Sequence, residues 1–281
     1  MMETHARSRA VLFLFLTAAL WSTSGLLIKL LTWEPLAILG GRSIVAGIVI
    51  WFSLRRRDVH VTRFTRWQVV GALSYVGTQL MFITATKLTT AANAIFLQYT
   101  APIYVLLLGW WLLKERPRRG DWIAMAVIFS GLLLFLGDDL TLQGLHGNVL
   151  AILSGVLLAV TTLVTRGETR GTPAATFLLG CLIGAVIGLP ALLQATFSPL
   201  NLGMIAFLGA VQMGLPLILY SAAIRHVRAL EASLILTLEP VLNPLWVFLV
   251  IGEAPGQLAL AGAALVVLAL TGRAWVSARN S

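Results

Sequence analysis

The chain has 281 residues, of which 58% are hydrophobic and only 11% are charged, and its mean hydropathy is +0.90. A soluble globular domain carries roughly 25% charged residues, so the composition excludes a soluble domain of this length. The net charge is +9, but the basic residues lie in short gaps between apolar stretches. They form no basic face on a soluble module, which argues against nucleic acid as a partner.

Ten apolar stretches, each close to the roughly 20 residues needed to cross a bilayer, follow one another along the chain. Lipid offers the backbone no hydrogen-bond partners, so each stretch is predicted to be a helix. The predicted spans are 10–31, 35–54, 67–87, 91–114, 121–137, 147–165, 173–195, 202–224, 230–251 and 256–276. No small-residue cleavage site follows the first stretch, so it is predicted to be retained. We therefore expect an all-α membrane protein of ten transmembrane helices.

The basic residues predict the orientation of these helices. Seventeen of the 20 Lys and Arg residues lie in alternate gaps, whereas the opposite gaps hold only Lys29 and Lys87. Arg42 lies within the second span. Because Lys and Arg accumulate in cytoplasmic loops, both termini are predicted to be cytoplasmic. Short loops and the lack of a targeting segment favour a multi-pass protein of the bacterial inner membrane.

The second half of the sequence repeats the first at an offset of 138 residues. Glu115 corresponds to Glu253 and Pro102 to Pro240 at this offset without a gap. The predicted units are therefore 1–140 and 141–281, with five spans each. An odd number of spans places the two units in opposite orientations around a central cavity, which is typical of alternating-access transporters. A bundle with the same symmetry that does not move is the alternative.

Polar and aromatic residues inside the spans predict a binding site, because polar groups in a membrane tend to face the bundle interior. Tyr75, Gln79 and Phe82 share one helical face by their spacing. Amide and aromatic groups suit a zwitterion or a small amine, whereas a phosphate would require buried basic residues. Only Arg42 qualifies as a buried basic residue, and it could instead extend to the outer surface. The candidate substrate-binding residues are Trp21, Ser22, Tyr75, Thr78, Gln79, Phe82, Gln98, Tyr99, Thr161, Gln212, Tyr220, Asn243 and Trp246.

Glu239 is the only acidic residue well inside a predicted span. A carboxylate is costly to keep ionised there and can bind a proton, so Glu239 is a candidate for proton coupling. The following Pro240 offers another interpretation, in which Glu239 caps backbone groups freed by a helix break. Uniport without a coupling ion therefore stays open. Pro102 and Pro240 are candidate hinges, with static kinks as the alternative.

Other sequence features exclude several classes of function. The single cysteine, Cys181, rules out an internal disulfide and a cysteine-based zinc site. No phosphate-binding loop or catalytic set of residues is present, so neither an enzyme, a cofactor nor a metal is predicted. Gly180, Gly184 and Gly188 recur every four residues, which favours close helix packing within one bundle over a dimer seam. Both units are on one chain, so a monomer is sufficient.

Four stretches resemble a known family. They are ALWSTSGLLIK (19–29), PLAILGGRSIVA (35–46), YTAPIYVLLLGWWLLKE (99–115) and LEPVLNPLWVFLVIGE (238–253). The chain resembles the ten-span, two-repeat bacterial branch of the drug/metabolite transporter superfamily over essentially its whole length. The resemblance implies a secondary transporter with a small-molecule substrate and lipid as its partners. It is most similar to amino-acid exporters, including those for aromatic amino acids. Carriers for sugar phosphates, nucleotide sugars or drugs, and a non-transporting module or channel, remain alternatives.

Overall fold

The computed structural model describes residues 2–56, 58, 63–89, 91–139, 144–251 and 257–279, and every regular element within them is helical. The α-helices are α1 (Met2–Trp21), α2 (Ser24–Leu30), α3 (Pro35–Arg55), α4 (Arg66–Leu88), α5 (Ala91–Gln98), α6 (Ala101–Leu113), α7 (Arg119–Asp139), α8 (Leu145–Gly167), α9 (Pro173–Leu193), α10 (Pro199–Gly209), α11 (Leu215–Ala223), α12 (Ala229–Leu236), α13 (Leu238–Ile251) and α14 (Gln257–Arg279). A π-helical turn, Ala210–Gly214, joins α10 to α11.

The starts of several helices follow from local sequence. Pro35, Pro173 and Pro199 each occupy the first helical position of α3, α9 and α10, where the missing N–H costs nothing and the fixed φ angle suits a helix. Thr65 and Gln68 form a capping box at the start of α4, which satisfies two backbone donors that a helix start leaves free.

Seven helical segments in the described part of the chain are long and apolar enough to cross a membrane. They are Ala6–Leu30, Pro35–Arg55, Arg66–Leu88, Asn93–Leu113, Leu145–Gly167, Pro173–Leu193 and Pro199–Ala223. These agree with seven of the predicted spans. The predicted fifth, ninth and tenth spans contain α7, α12 with α13, and α14, which are helical but not among the seven.

Helix boundaries recur at the offset found in the sequence. α3 begins at 35 and ends at 55, whereas α9 begins at 173 and ends at 193, so both ends differ by 138. α5 covers 91–98 and α12 covers 229–236, again with both ends 138 apart. Each of these two short helices is followed by a break, at Tyr99–Thr100 in the first half and at Thr237 in the second.

The helices pack as pairs that join the two halves. α3 packs mainly against α9, α4 against α8, α7 against α14, and α1 against α11.

The closest approach is at Gly40 and Gly188, where a Cβ added to Gly188 would lie 2.4 Å from the Gly40 nitrogen. Gly180 and Gly184 likewise face Tyr75 and Ser43. The predicted packing of these glycines inside one bundle is therefore confirmed.

The outer surface is apolar over much of its area. Trp110 and Trp111 of α6 are 61% and 78% exposed, and Val186 of α9 is 72% exposed. Contiguous apolar surface on this scale is unfavourable in water but suited to lipid. The exposed apolar exterior and the seven long apolar helices are those of a multi-pass membrane protein.

Candidate functional site

A cavity lies between the two halves of the chain and is lined by residues of both. Its walls come from α1 to α5 in the first half and from α8, α9, the π-helical turn, α11 and α13 in the second. The lining residues are Trp21, Ser24, Arg42, Tyr75, Thr78, Gln79, Phe82, Gln98, Leu158, Thr161, Thr162, Phe177, Gln212, Leu217, Tyr220 and Glu239.

The structure brings most of the predicted site residues together around this cavity. Those that line it are Trp21, Tyr75, Thr78, Gln79, Phe82, Gln98, Thr161, Gln212, Tyr220 and Glu239. Ser22, Tyr99 and Trp246 do not line it. The Trp246 Nε1 donates a 2.7 Å hydrogen bond to the Ser22 hydroxyl, and the Tyr99 hydroxyl donates to the Glu239 carboxylate. Asn243 lies in α13, but its side chain is outside the described part of the structure.

The two candidate hinge prolines lie just after the helix breaks. Pro102 is the second residue of α6 and Pro240 the third residue of α13. Both positions are at a helix start, where the absence of a proline N–H is tolerated. Neither proline lines the cavity. A role in motion would therefore come from changes in the orientation of α6 and α13 and not from contact with a substrate.

Arg42, which the sequence left free to extend towards the outer surface, lies inside the bundle. It is only 2% exposed and lines the cavity. Its Nη2 donates hydrogen bonds to the Gln79 Oε1 at 3.3 Å and to the Gln212 Oε1 at 3.2 Å. Its Nε lies 3.1 Å from the Met213 sulfur. The cavity lining therefore includes a guanidinium group.

The π-helical turn contributes Gln212 to the cavity. A π-helical turn carries one extra residue per turn, and such turns often occur at functional sites. Gln212 is buried, and its Oε1 accepts a hydrogen bond from the Arg42 guanidinium. Its Nε2 donates a 3.4 Å hydrogen bond to the Trp21 carbonyl oxygen. The same side chain thus connects α1, α3 and the π-helical turn of the second half.

One wall of the cavity is aromatic. The rings of Tyr75 and Phe177 meet edge to face with centroids 5.2 Å apart, and Phe177 meets Tyr220 in the same way at 5.7 Å. Tyr220 then lies 6.0 Å from Trp21. Edge-to-face rings at these separations attract one another and hold their orientations. The result is a continuous apolar surface with π faces beside the polar groups.

The polar groups of the cavity include one cation and one anion. The carboxylate of Glu239 accepts a hydrogen bond from the Tyr99 hydroxyl, which belongs to the other half. Arg42 and Glu239 both line the cavity, but neither takes part in the ion pairs found among the described residues. Besides the amide and aromatic groups expected from the sequence, the cavity therefore contains a guanidinium and a carboxylate.

At the end of the bundle where α4, α7, α9 and α12 begin, ion pairs join the two halves. Their N···O distances are 2.8 Å for Arg7–Glu231, 3.3 Å for Arg166–Glu115 and 3.0 Å for Arg228–Asp121. The Glu115 carboxylate also accepts from the Ala229 backbone N–H at 3.0 Å. This end is the one that carries most of the basic residues.

Glu168, in the loop between α8 and α9, also joins the halves at this end. Its carboxylate accepts from the Thr65 hydroxyl and from the backbone N–H groups of Arg170 at 2.7 Å and Gly171 at 2.9 Å. Burial alone would raise the pKa of the Glu168 carboxyl, but these hydrogen bonds and the nearby Arg225 lower it below its usual value.

Comparison with known proteins identifies the family. A sequence model described as the EamA-like transporter family matches residues 8–137 and 145–272. The chain belongs to this family. The Bacillus subtilis (strain 168) protein named Uncharacterized transporter YwfM is 28% identical over 274 residues, which cover 92% of this chain and 91% of that protein. One solved crystal structure, 19% identical, has the same fold, with a TM-score of 0.84 over 96% of this chain and 98% of that one.

The two family matches fall one in each half of the chain, so the family's two repeats are both present. The resemblance to the drug/metabolite transporter superfamily is thereby confirmed. The protein is a multi-pass membrane transporter, and the cavity between its halves is the candidate site for its substrate.

Proposed function

We propose that this protein is a secondary transporter that exports amino acids or related small amphipathic metabolites across the bacterial inner membrane. The observation that carries the proposal is the cavity between the halves, which combines an aromatic wall with three glutamine side chains, one guanidinium and one carboxylate.

The chemistry of the cavity suits this substrate class. Gln79, Gln98 and Gln212 each offer an amide oxygen and an NH₂ group, so they can accept from an ammonium and donate to a carboxylate. The aromatic wall gives apolar area to a substrate side chain. A sugar phosphate or nucleotide sugar would need more than one cation for its doubly charged phosphate, and the described lining has Arg42 alone.

We further propose ten spans in two inverted units, 1–140 and 141–281, with both termini in the cytoplasm. α7, α12 with α13, and α14 would supply the three spans beyond the seven long apolar helices. Support comes from the helix boundaries that recur 138 residues apart and from the basic residues gathered at one end. Basic loops face the cytoplasm in most membrane proteins.

Alternating access in such a protein requires the halves to separate at one end at a time. The ion pairs Arg7–Glu231, Arg166–Glu115 and Arg228–Asp121 each join one half to the other at the basic end. Opening towards the cytoplasm would break all three. On this proposal, the described conformation would be the one closed on the cytoplasmic side.

Glu239 is the group we propose for proton coupling. Its carboxylate lines the cavity, is 5% exposed, and is held by the hydroxyl of Tyr99. A proton on this carboxylate would remove its charge and weaken the binding of a substrate ammonium. Competition between a proton and the substrate for one carboxylate is a simple physical basis for antiport.

Counterflow in proteoliposomes tests the transport function. The purified full-length chain is reconstituted, the vesicles are loaded with unlabelled amino acids, and the entry of labelled Phe, Thr or Met is followed. Saturable entry that unlabelled amino acid competes away is the expected result. A non-saturable leak would indicate a channel, and no exchange of any amino acid would contradict the proposal.

A further inference from the structure

Arg42 has hydrogen-bonding capacity that the described residues do not use. Its Nη1 atom is buried and has no hydrogen-bond partner among them, whereas Nη2 is shared by the amide oxygens of Gln79 and Gln212. The side chain is 2% exposed and is part of the cavity lining.

An arrangement of this kind is unfavourable without a ligand. A guanidinium keeps its charge in proteins, and burial of that charge without a carboxylate at ion-pair distance is unfavourable; Glu239 lines the same cavity but forms no ion pair with Arg42. Gln79 and Gln212 are neutral, and Arg42 has no ion pair with a carboxylate of the described residues. The charge is thus oriented by two amides but is not neutralised by them.

A carboxylate is the ligand that this geometry fits. The planar guanidinium binds carboxylates through N–H groups that lie in one plane. A doubly charged phosphate fits less well, because Glu239 adds a negative charge to the same cavity and Arg42 is the only cation of the described lining. A single carboxylate can pair with Arg42, and an ammonium group on the same substrate can pair with Glu239.

We propose that Arg42 binds the carboxylate of the substrate, so that the cavity selects molecules with a free carboxylate over their amides and over simple amines. This inference rests on the proposed function in that it names the substrate class of the same cavity. Gln79 and Gln212 are positioning residues, since they hold Nη2 and so direct Nη1 towards the ligand. Glu239 and the aromatic wall would then receive the ammonium and the side chain.

The test measures the binding of three small probes that share a phenyl ring. They are 3-phenylpropionate, its neutral amide 3-phenylpropanamide, and phenyl phosphate. Affinity for the purified full-length protein is followed by the tryptophan fluorescence that Trp21 contributes at the cavity wall and by thermal stabilisation. The carboxylate is expected to bind about tenfold more tightly than the amide, because a charge-assisted bond replaces a neutral one.

Variants at position 42 assign that preference to Arg42. Arg42→Gln should reduce the ratio of affinities to about one, because no charge remains to favour the carboxylate. Arg42→Lys keeps the charge but loses the planar fork, so an intermediate ratio is expected. If Arg42→Gln does not fold, the wild-type ratio and Arg42→Lys still decide the question.

Several results would overturn the inference. They are equal binding of carboxylate and amide by the wild type, no binding of the carboxylate, tighter binding of phenyl phosphate, or an unchanged ratio in Arg42→Gln. Counterflow of labelled Phe separates this inference from the proposed function. If the protein exchanges Phe but binds the carboxylate and the amide equally, only the role of Arg42 is contradicted. If it prefers the carboxylate but exchanges no amino acid, only the proposed transport function is contradicted.

Discussion

The hydroxyl of Tyr99 donates a 2.5 Å hydrogen bond to the carboxylate of Glu239, and this contact joins the helix breaks of the two halves. Tyr99 lies in the break between α5 and α6, and Glu239 lies two residues after Thr237, which separates α12 from α13. Since Tyr99 and Thr237 are themselves 138 residues apart, the breaks of the two repeats come together beside Glu239, which lines the cavity.

Tyr99→Phe should reduce counterflow on the order of tenfold, because a hydrogen bond to a charged group contributes about 1.5–3 kcal/mol. The amount of folded protein should change little, since the ring remains. Initial rates of amino-acid exchange, set against the amount of folded protein in the vesicles, measure the effect.

Tyr104→Phe is the matched control, because Tyr104 lies in α6 of the same predicted span, whereas the hydrogen bond to Glu239 comes from Tyr99. It should exchange at the wild-type rate. Equal losses in Tyr99→Phe and Tyr104→Phe would contradict a specific role for the contact with Glu239.

Much of the site could be predicted from sequence because helical spacing is regular. Tyr75, Gln79 and Phe82 are separated by four and three residues, so they had to share one face of α4 whatever their neighbours were. Polar residues in apolar spans then pointed to the interior, as the placement of Gln98 and Gln212 shows.

The rest depended on packing between helices. The distance of Arg42 from the end of its span suggested access to the surface, but the direction of a side chain depends on how α3 is rotated against α9 and the π-helical turn. The close contact of Gly40 and Gly188 fixes that rotation. For the same reason Phe177 and Leu217, two unremarked apolar residues, line the cavity. The π-helical turn has no signal that spacing could detect.

Gln79→Ala should lower exchange several-fold and weaken the discrimination between acid and amide probes. Gln79 accepts from the Arg42 Nη2 at 3.3 Å, and its loss leaves the guanidinium less well oriented. Thr84→Ala is the control on α4, because the Thr84 hydroxyl donates to the Leu80 carbonyl of its own helix and does not line the cavity. If Gln79→Ala exchanged amino acids at the wild-type rate, the assignment of Gln79 to the substrate site would be wrong.

Gly188→Ala should destabilise the protein by about 1–3 kcal/mol, because the added methyl group would force α9 away from α3. The new Cβ would lie 2.4 Å from the Gly40 nitrogen and 2.5 Å from the Leu36 carbonyl oxygen. Thermal unfolding in detergent measures the change.

Gly203→Ala in α10 is the matched control, since nothing lies within 4 Å of a Cβ at that position. Its unfolding temperature should not fall, because alanine is the better helix former. Equal stability of Gly188→Ala and the wild type would show that the helices are not in contact there.

Glu168→Gln should lower stability at neutral pH by about 2 kcal/mol, since the ionised carboxylate accepts several hydrogen bonds. The pKa of the Glu168 carboxyl lies below its ordinary value of 4.5 in the folded protein. Ionised Glu168 therefore stabilises the fold above that range, and the contribution is lost as the pH falls through the folded-state pKa.

The difference in unfolding temperature between the wild type and Glu168→Gln should accordingly shrink as the pH is lowered below 4.5, the ordinary value for this carboxyl. Glu34→Gln serves as the control, because Glu34 is exposed before α3 and its side chain makes no capping hydrogen bond. A difference that grows on acidification would contradict the assignment.

The most direct test of the central claim is whether substrate occupies this cavity. Thr161 lines the cavity, and its hydroxyl donates to its own helix at Leu157, so Thr161→Cys is a small change. Introduced into a Cys181→Ser background, it provides a single thiol whose reaction with a small maleimide is timed with and without the amino acid that exchanges best. Saturating substrate should slow the labelling of Thr161→Cys about tenfold and leave that of Gly203→Cys unchanged. Exchange that persists without any protection of Thr161→Cys would place the substrate elsewhere and contradict the account.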